Sequence, residues 1–169
     1  MAERWKPSVT VAAVIERVEG GVPHYLLVEE HTPEGLMLNN PAGHLDPGES
    51  LQQGVEREAL EETARIFTPD RLVGIYMTRL QRPARDEDVT YLRFAFGGTV
   101  GDADAARPLD TGIVRTLWMT LPELRKSRAR HRSALVLQCI EDHAAGKRLP
   151  LEAITSDGTL TAPLIKPGK

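Results

Sequence analysis

Three glutamates, Glu58, Glu61 and Glu62, stand in the run Arg57-Glu58-Ala59-Leu60-Glu61-Glu62. Residues three and four apart share a helix face, so on a helix these carboxylates fall within roughly a 100° sector. Like charges so placed weaken a helix by about 0.2–0.5 kcal/mol per pair, and a bound divalent cation converts that repulsion into attraction. Hard oxygen donors suit Mg²⁺ or Mn²⁺, and no cysteine or paired-histidine cluster lies beside them to suit zinc. The plainer reading of an acidic triplet is a solvated helix face. Arg57 and Arg65 stand four residues before and after Glu61 and offer it ion pairs, whereas Glu58 and Glu62 have no arginine at that spacing. Glu58 and Glu62 are therefore the leading metal candidates, with Glu61 a third ligand or a carboxylate held by arginine behind them.

A helix from 50 to about 67 is needed to present these residues, and its start is marked by a capping box, Ser50 followed three residues later by Gln53. Leu51, Val55, Ala59 and Ile66 form its expected core stripe. Before it, apolar and β-branched runs at 8–15 and 25–28, separated by the turn 19–23, predict a β-hairpin. After it, strands are expected at 72–78, 90–100 and 113–119, with the charged segment 79–88 as a flexible loop. A short helix at 121–126 and a longer one at 131–145, ending at Gly146, follow. The tail, about 153–169, carries Gly158, Pro163, Pro167 and Gly168 and is expected to be irregular. This mixture predicts an α/β or α+β domain, a mixed sheet covered by helices.

With 169 residues, 41% of them hydrophobic and 27% charged, the chain suits one domain over 1–169 with one sizeable core. A net charge of -3 gives no global attraction to nucleic acid or to an anionic membrane, so the expected partner is a small molecule. Monomer and homodimer both stay open. The one cysteine, Cys139, lies in the apolar run 134–140, cannot form an internal disulfide, and fits a reducing cytoplasm. The segment 1–7 leads into no uncharged apolar stretch, and no run approaches the roughly 20 residues of a membrane span, so neither export signal nor anchor is expected.

The loop Pro41-Ala42-Gly43-His44-Leu45-Asp46-Pro47-Gly48-Glu49 belongs with the acidic helix. Gly43, Glu49 after five residues, Arg57-Glu58 after seven more, and then Glu61-Glu62 resemble the Nudix box, here about 43–66. The resemblance implies an α/β/α sandwich with a loop-helix-loop catalytic box that hydrolyses a nucleoside diphosphate linked to another group. Ala64 and Arg65 stand where the family pattern has Gly and an aliphatic residue; Ala64 is compatible with continued helix. Over roughly 6–152 the chain is similar to the NudJ-type phosphatase subgroup. The similarity rests on Lys6-Pro7 before Val9-Thr10-Val11-Ala12, Val28-Glu29-Glu30, 39–45, Leu92-Arg93-Phe94, Arg132-Ser133 and 146–152. Membership implies Mg²⁺-dependent, stepwise removal of phosphate from nucleoside tri- and diphosphates, and action on thiamine pyrophosphate or hydroxymethylpyrimidine pyrophosphate.

On this reading Glu58 and Glu62 hold the metal with the backbone carbonyl of Ala42, and Arg57 orients Glu49 or Glu61 rather than touching substrate. Glu61 and Glu49 are the general-base candidates within the box; Asp110, beside Gly112 and otherwise a turn former, ranks below Glu61. Arg93 and Arg132 are placed to meet a phosphate, and His44 to donate to substrate. Tyr91 and Trp118 either stack on a ring or belong to the core. The basic run Arg125, Lys126, Arg128, Arg130 and Arg132 reads as a solvated helix junction, or as a groove if the substrate were an RNA end. A nucleotide-binding Nudix module without catalysis is the other alternative, although the carboxylates are kept.

Overall fold

A computed structural model describes residues 4–163. Strands β1 (Ser8–Glu19) and β2 (Val22–Thr32) form the expected hairpin, longer than its apolar centre. Its turn uses Gly20 and Gly21 at φ 57° and 79°, positive at both central positions as a two-residue hairpin turn requires. The chain continues through β3 (Gly35–Asn39), β4 (Ala42–His44), α1 (Leu51–Thr63), β5 (Phe67–Arg82), β6 (Glu87–Val100), β7 (Ile113–Thr120), α2 (Leu121–Lys126) and α3 (Leu135–Ala144).

The strands make one mixed sheet in the order β3-β2-β1-β6-β5, with β4 on β1 and β7 on β2. β1 and β6 run parallel, Thr10 beside Arg93 and Val11 beside Phe94, while the other pairs are antiparallel. Alternation along the central strands splits the core into two layers. Val11, Ala13, Ile15, Leu26, Leu72 and Phe96 pack on the side that receives Val55 and Ala59 of α1. Val14, Leu27, Val73 and Ala95 pack on the opposite side with Leu124 of α2 and Val136, Leu137 and Ile140 of α3. The fold is thus the α/β/α sandwich of the resemblance, with Cys139 buried as a core residue.

Four expectations are corrected. The segment 79–88 is no loop: β5 and β6 run on as a long hairpin to the 3₁₀ turn Pro83–Arg85, and its charges pair across the strands, Arg79 Nε to Asp88 at 2.7 Å and Arg82 Nη1 to Glu87 at 2.8 Å. Helix α1 stops at Thr63, not near 67, because Ala64 turns left-handed at φ 54°, ψ 30°. Ile66 consequently leaves the core stripe and is 72% exposed. The last helix begins at Leu135, since 128–130 form a separate 3₁₀ turn. In the tail, 3₁₀ turns occur at Leu151–Ala153 and Gly158–Thr161; Pro167 and Gly168, like the first three residues of the N-terminal segment, lie outside the described residues. No helix among the described residues is long and apolar enough to cross a membrane.

Candidate active site

The capping box fixes the start of α1: Ser50 Oγ accepts from the Gln53 N–H at 3.2 Å, and Gln53 Oε1 accepts from the Ser50 N–H at 2.8 Å. With Val55 and Ala59 seated on the sheet, the helix turns Glu58 and Glu62 toward β4, leaving them only 9% and 8% exposed. A solvated face is therefore ruled out for these two. The Ala42 N–H donates to Glu62 Oε2 at 2.8 Å. Glu58 lies so close to Gly43 that a Cβ there would overlap its carboxylate, which explains the glycine. Burial pushes the Glu62 carboxyl up to about 8, helped by the charges of Glu58, Glu30 and Asp110; it also raises Glu58, against the pull of Arg57.

Arg57 is the hub of the acidic cluster. Its Nε and Nη2 donate to Glu49 Oε2 and Oε1 at 3.0 and 2.7 Å, and Nη2 also to the His44 carbonyl at 3.0 Å. Nη1 donates to Glu58 Oε1 at 2.7 Å and Glu61 Oε2 at 3.1 Å. Glu58 thus does have an arginine, reached from the adjacent position rather than across a helical turn. Arg65 does not serve Glu61; its Nη1 donates to the Gly101 carbonyl at 2.9 Å.

The same contacts separate the base candidates. Glu49 Oε1 accepts a further bond from the Asp46 N–H at 2.7 Å, and the Arg57 fork holds its carboxyl below the ordinary glutamate range. A carboxylate so engaged is a poor proton acceptor and a good anchor. Glu61 engages Arg57 through Oε2 alone and keeps part of its side chain in solvent. Asp110 behaves as a turn former: its Oδ1 accepts from the Thr111 N–H at 2.7 Å, and its own N–H donates to the Glu61 carbonyl at 2.9 Å.

The donors at Glu58 and Glu62 fit a hard divalent cation, being desolvated oxygens whose shared charge a cation would offset. Among the described residues, no three His, Cys, Asp or Glu side chains are gathered closely enough to hold a metal ion between them. The contact seen for Ala42 is through its N–H.

A cavity of about 430 Å³ adjoins the carboxylates through Ala42, Gly43 and His44. Arg93, Arg132 and Tyr91 line it, as do Thr10, Glu30, Asn39, Arg79 and Arg82, none of the last five named as a site residue from the sequence. Trp118 does not: it packs against the α1 side of the core with the Arg17 guanidinium 4.0 Å from its ring centroid. Arg132 is held by Glu30 at 2.7 Å. Among the described residues, buried Arg93 has no carboxylate partner, and its Nη1 lies 3.5 Å from Asn40 Oδ1. The basic run is not an open groove, because Arg125 pairs with Glu141, Arg130 with Glu29 and Arg132 with Glu30. Glu30 ends the buried run Leu26-Leu27-Val28, a position that in sequence looks like a solvated strand end.

A family profile described as NUDIX domain matches residues 6–138. The chain belongs to the Nudix family. It is 33% identical over 150 residues to the phosphatase NudJ of Shigella boydii serotype 4, covering 89% of this chain and 92% of that protein, and 32% identical over 150 residues to NudJ of Escherichia coli K12. Among solved structures, a NUDIX hydrolase from Nitrosomonas europaea superposes with a TM-score of 0.79 at 51% identity, covering 90% of this chain and 98% of that one. The NUDIX domain of Shewanella oneidensis NrtR, solved with ADP ribose, shares the fold at a TM-score of 0.66 and 18% identity, covering 84% and 89%. This Nudix protein is accordingly a phosphohydrolase, of a family that generally uses a divalent metal such as Mg²⁺.

Proposed function

We propose that this Nudix phosphohydrolase, working as one domain over 1–169, removes phosphate from nucleoside tri- and diphosphates with Mg²⁺, and that thiamine pyrophosphate or hydroxymethylpyrimidine pyrophosphate are further substrates. The observation that carries the reading is the burial of Glu58 and Glu62 against Gly43 and Ala42, which line a cavity that Arg93 and Arg132 also line. The identity with NudJ phosphatases over 89% of the chain supports the substrate class.

Glu58 and Glu62, with the Ala42 carbonyl, would hold the cation. When bound, it supplies positive charge for the phosphoanhydride oxygens and acidifies an attacking water. Arg57, locked by Glu49, positions Glu58 and Glu61 and makes no contact with substrate. Glu61, with one carboxylate oxygen left by Arg57, is the preferred acceptor for the water proton. Arg93 and Arg132 orient phosphate oxygens, and His44, at the junction of loop and cavity, donates to the substrate.

The test is a product assay on nucleoside triphosphates, nucleoside diphosphates and thiamine pyrophosphate, each with and without Mg²⁺. Orthophosphate released only with Mg²⁺ is expected. Pyrophosphate from a triphosphate would move the chain to another Nudix activity, and no hydrolysis across the panel would make it a nucleotide-binding module.

A further inference from the structure

Beyond the arginines, Thr10, Glu30 and Asn39 line the cavity, and each keeps a buried side-chain oxygen, Thr10 Oγ1, Glu30 Oε1 and Asn39 Oδ1, with no partner among the described residues. Thr10 and Asn39 are only 6% and 7% exposed. A buried polar atom left unpaired costs about 1–3 kcal/mol, so the acceptor oxygens of Glu30 and Asn39 call for a ligand that brings hydrogen-bond donors, while the Thr10 hydroxyl can give or take one.

The sheet dictates their grouping. In the β2/β3 register Glu30 faces Met37 and Val28 faces Asn39, so Glu30 and Asn39 are diagonal neighbours on one face. Diagonal pairs of this kind sit about 7–8 Å apart, a span that brackets one planar group. Thr10 lies beside Arg93 in the β1/β6 register. Arg132 holds Glu30 Oε2 at 2.7 Å and fixes the carboxylate with its other oxygen unbound. Acceptors thus stand next to a buried guanidinium that has donors to spare.

A phosphate group offers Glu30 Oε1 and Asn39 Oδ1 no hydrogen-bond donors, so these two oxygens address the organic end of a substrate. An exocyclic amino group has two N–H bonds, one for each of Glu30 and Asn39. An oxo-substituted ring with one imide N–H satisfies one acceptor and sets a carbonyl oxygen against the other.

We propose that Thr10, Glu30 and Asn39 form a subsite that reads the amino edge of an amino-substituted, nucleobase-type ring and selects against its oxo counterpart. The proposal rests on the reading above only in taking this cavity as the one that receives substrate.

Calorimetric binding of cytidine and uridine 5′-monophosphates to the full chain in the presence of Mg²⁺ tests it, since the two differ at the edge in question. The cytidine nucleotide is expected to bind about tenfold more tightly, the value of one charge-assisted hydrogen bond. In Glu30→Gln the ratio should fall to within about twofold, and in Thr10→Val it should shrink partially. Equal affinities for the wild-type protein, or tighter uridine binding, overturn the subsite without any variant having to fold. A phosphate-release assay on the two triphosphates separates the two ideas: if neither is hydrolysed, the proposed phosphatase activity fails, while the binding ratio still decides the subsite.

Discussion

Arg57 grips Glu49 through two parallel bonds, Nε to Oε2 at 3.0 Å and Nη2 to Oε1 at 2.7 Å, while its Nη1 reaches Glu58 Oε1 at 2.7 Å. One guanidinium therefore ties the loop before α1 to a buried carboxylate on α1. Lysine carries the charge but cannot form the fork. Arg57→Lys should lower kcat by about 10–100-fold and weaken Mg²⁺ activation, with a small change in KM. Steady-state phosphate release at several Mg²⁺ concentrations measures this; an unchanged kcat and Mg²⁺ dependence would remove Arg57 from the positioning of Glu58.

Glu62 links metal loading to pH. Its carboxyl is raised from the ordinary glutamate value of 4.5 to about 8 in the fold, chiefly by burial. Below pH about 4.5 folded and unfolded chains both hold the proton; between there and about 8 the unfolded chain has lost it and the metal-free fold has not. Stability of the metal-free protein should therefore fall as pH rises through that window. Thermal unfolding in chelator from pH 5 to 8 should show a declining Tm. Mg²⁺ should restore it most at the alkaline end, because the cation binds the ionised carboxylate. In Glu62→Gln the decline should flatten and turnover should be abolished with the fold intact; retained turnover at saturating Mg²⁺ would exclude Glu62 as a ligand.

These relationships were unequally visible in the sequence. The capping box and apolar stripe that fix the phase of α1, and so turn Glu58 and Glu62 inward, were legible, although the sequence set these two apart from Glu61 by arginine spacing rather than by phase. The role of Arg57 at Glu58 was not, since helix periodicity counts neighbours across a turn, whereas this contact runs between adjacent residues along a side chain already bent toward Glu49. The hairpin over 79–88 was hidden because its charges look solvated in one dimension and become cross-strand pairs only in register. Glu30 and Asn39 stayed silent for the same reason: they meet by strand register, at separated positions in the chain.

Gly43 is a sharp test of the loop-to-helix contact. It takes no unusual backbone angle; its need for glycine is the Glu58 carboxylate occupying the place of a Cβ. Gly43→Ala should force Glu58 away from β4 and cut activity strongly, with far less effect on thermal stability than on kcat, because either the carboxylate or the short β4 segment can shift. Circular dichroism and phosphate release on the same preparation distinguish this from general unfolding. Full activity in the variant would mean that Glu58 functions away from the loop.

Ala64 carries the opposite expectation, a gain. It ends α1 in the left-handed region at φ 54°, ψ 30°, with its N–H bonded to the Leu60 carbonyl at 3.0 Å. A Cβ costs roughly 1–2 kcal/mol there, while glycine adds about 0.4–1 kcal/mol of backbone entropy to the unfolded chain. The difference favours Ala64→Gly by about 1 kcal/mol at the middle of these ranges, or roughly 2–4 °C in Tm for a chain of this size. The backbone bonds that tie this corner to the following loop, including the Ala64 carbonyl to the Asp104 N–H at 2.8 Å, need no side chain. kcat should therefore be unchanged. Ala64 is itself buried, so a fall in Tm on calorimetry would mean that the packing of its methyl group outweighs the strain of its backbone.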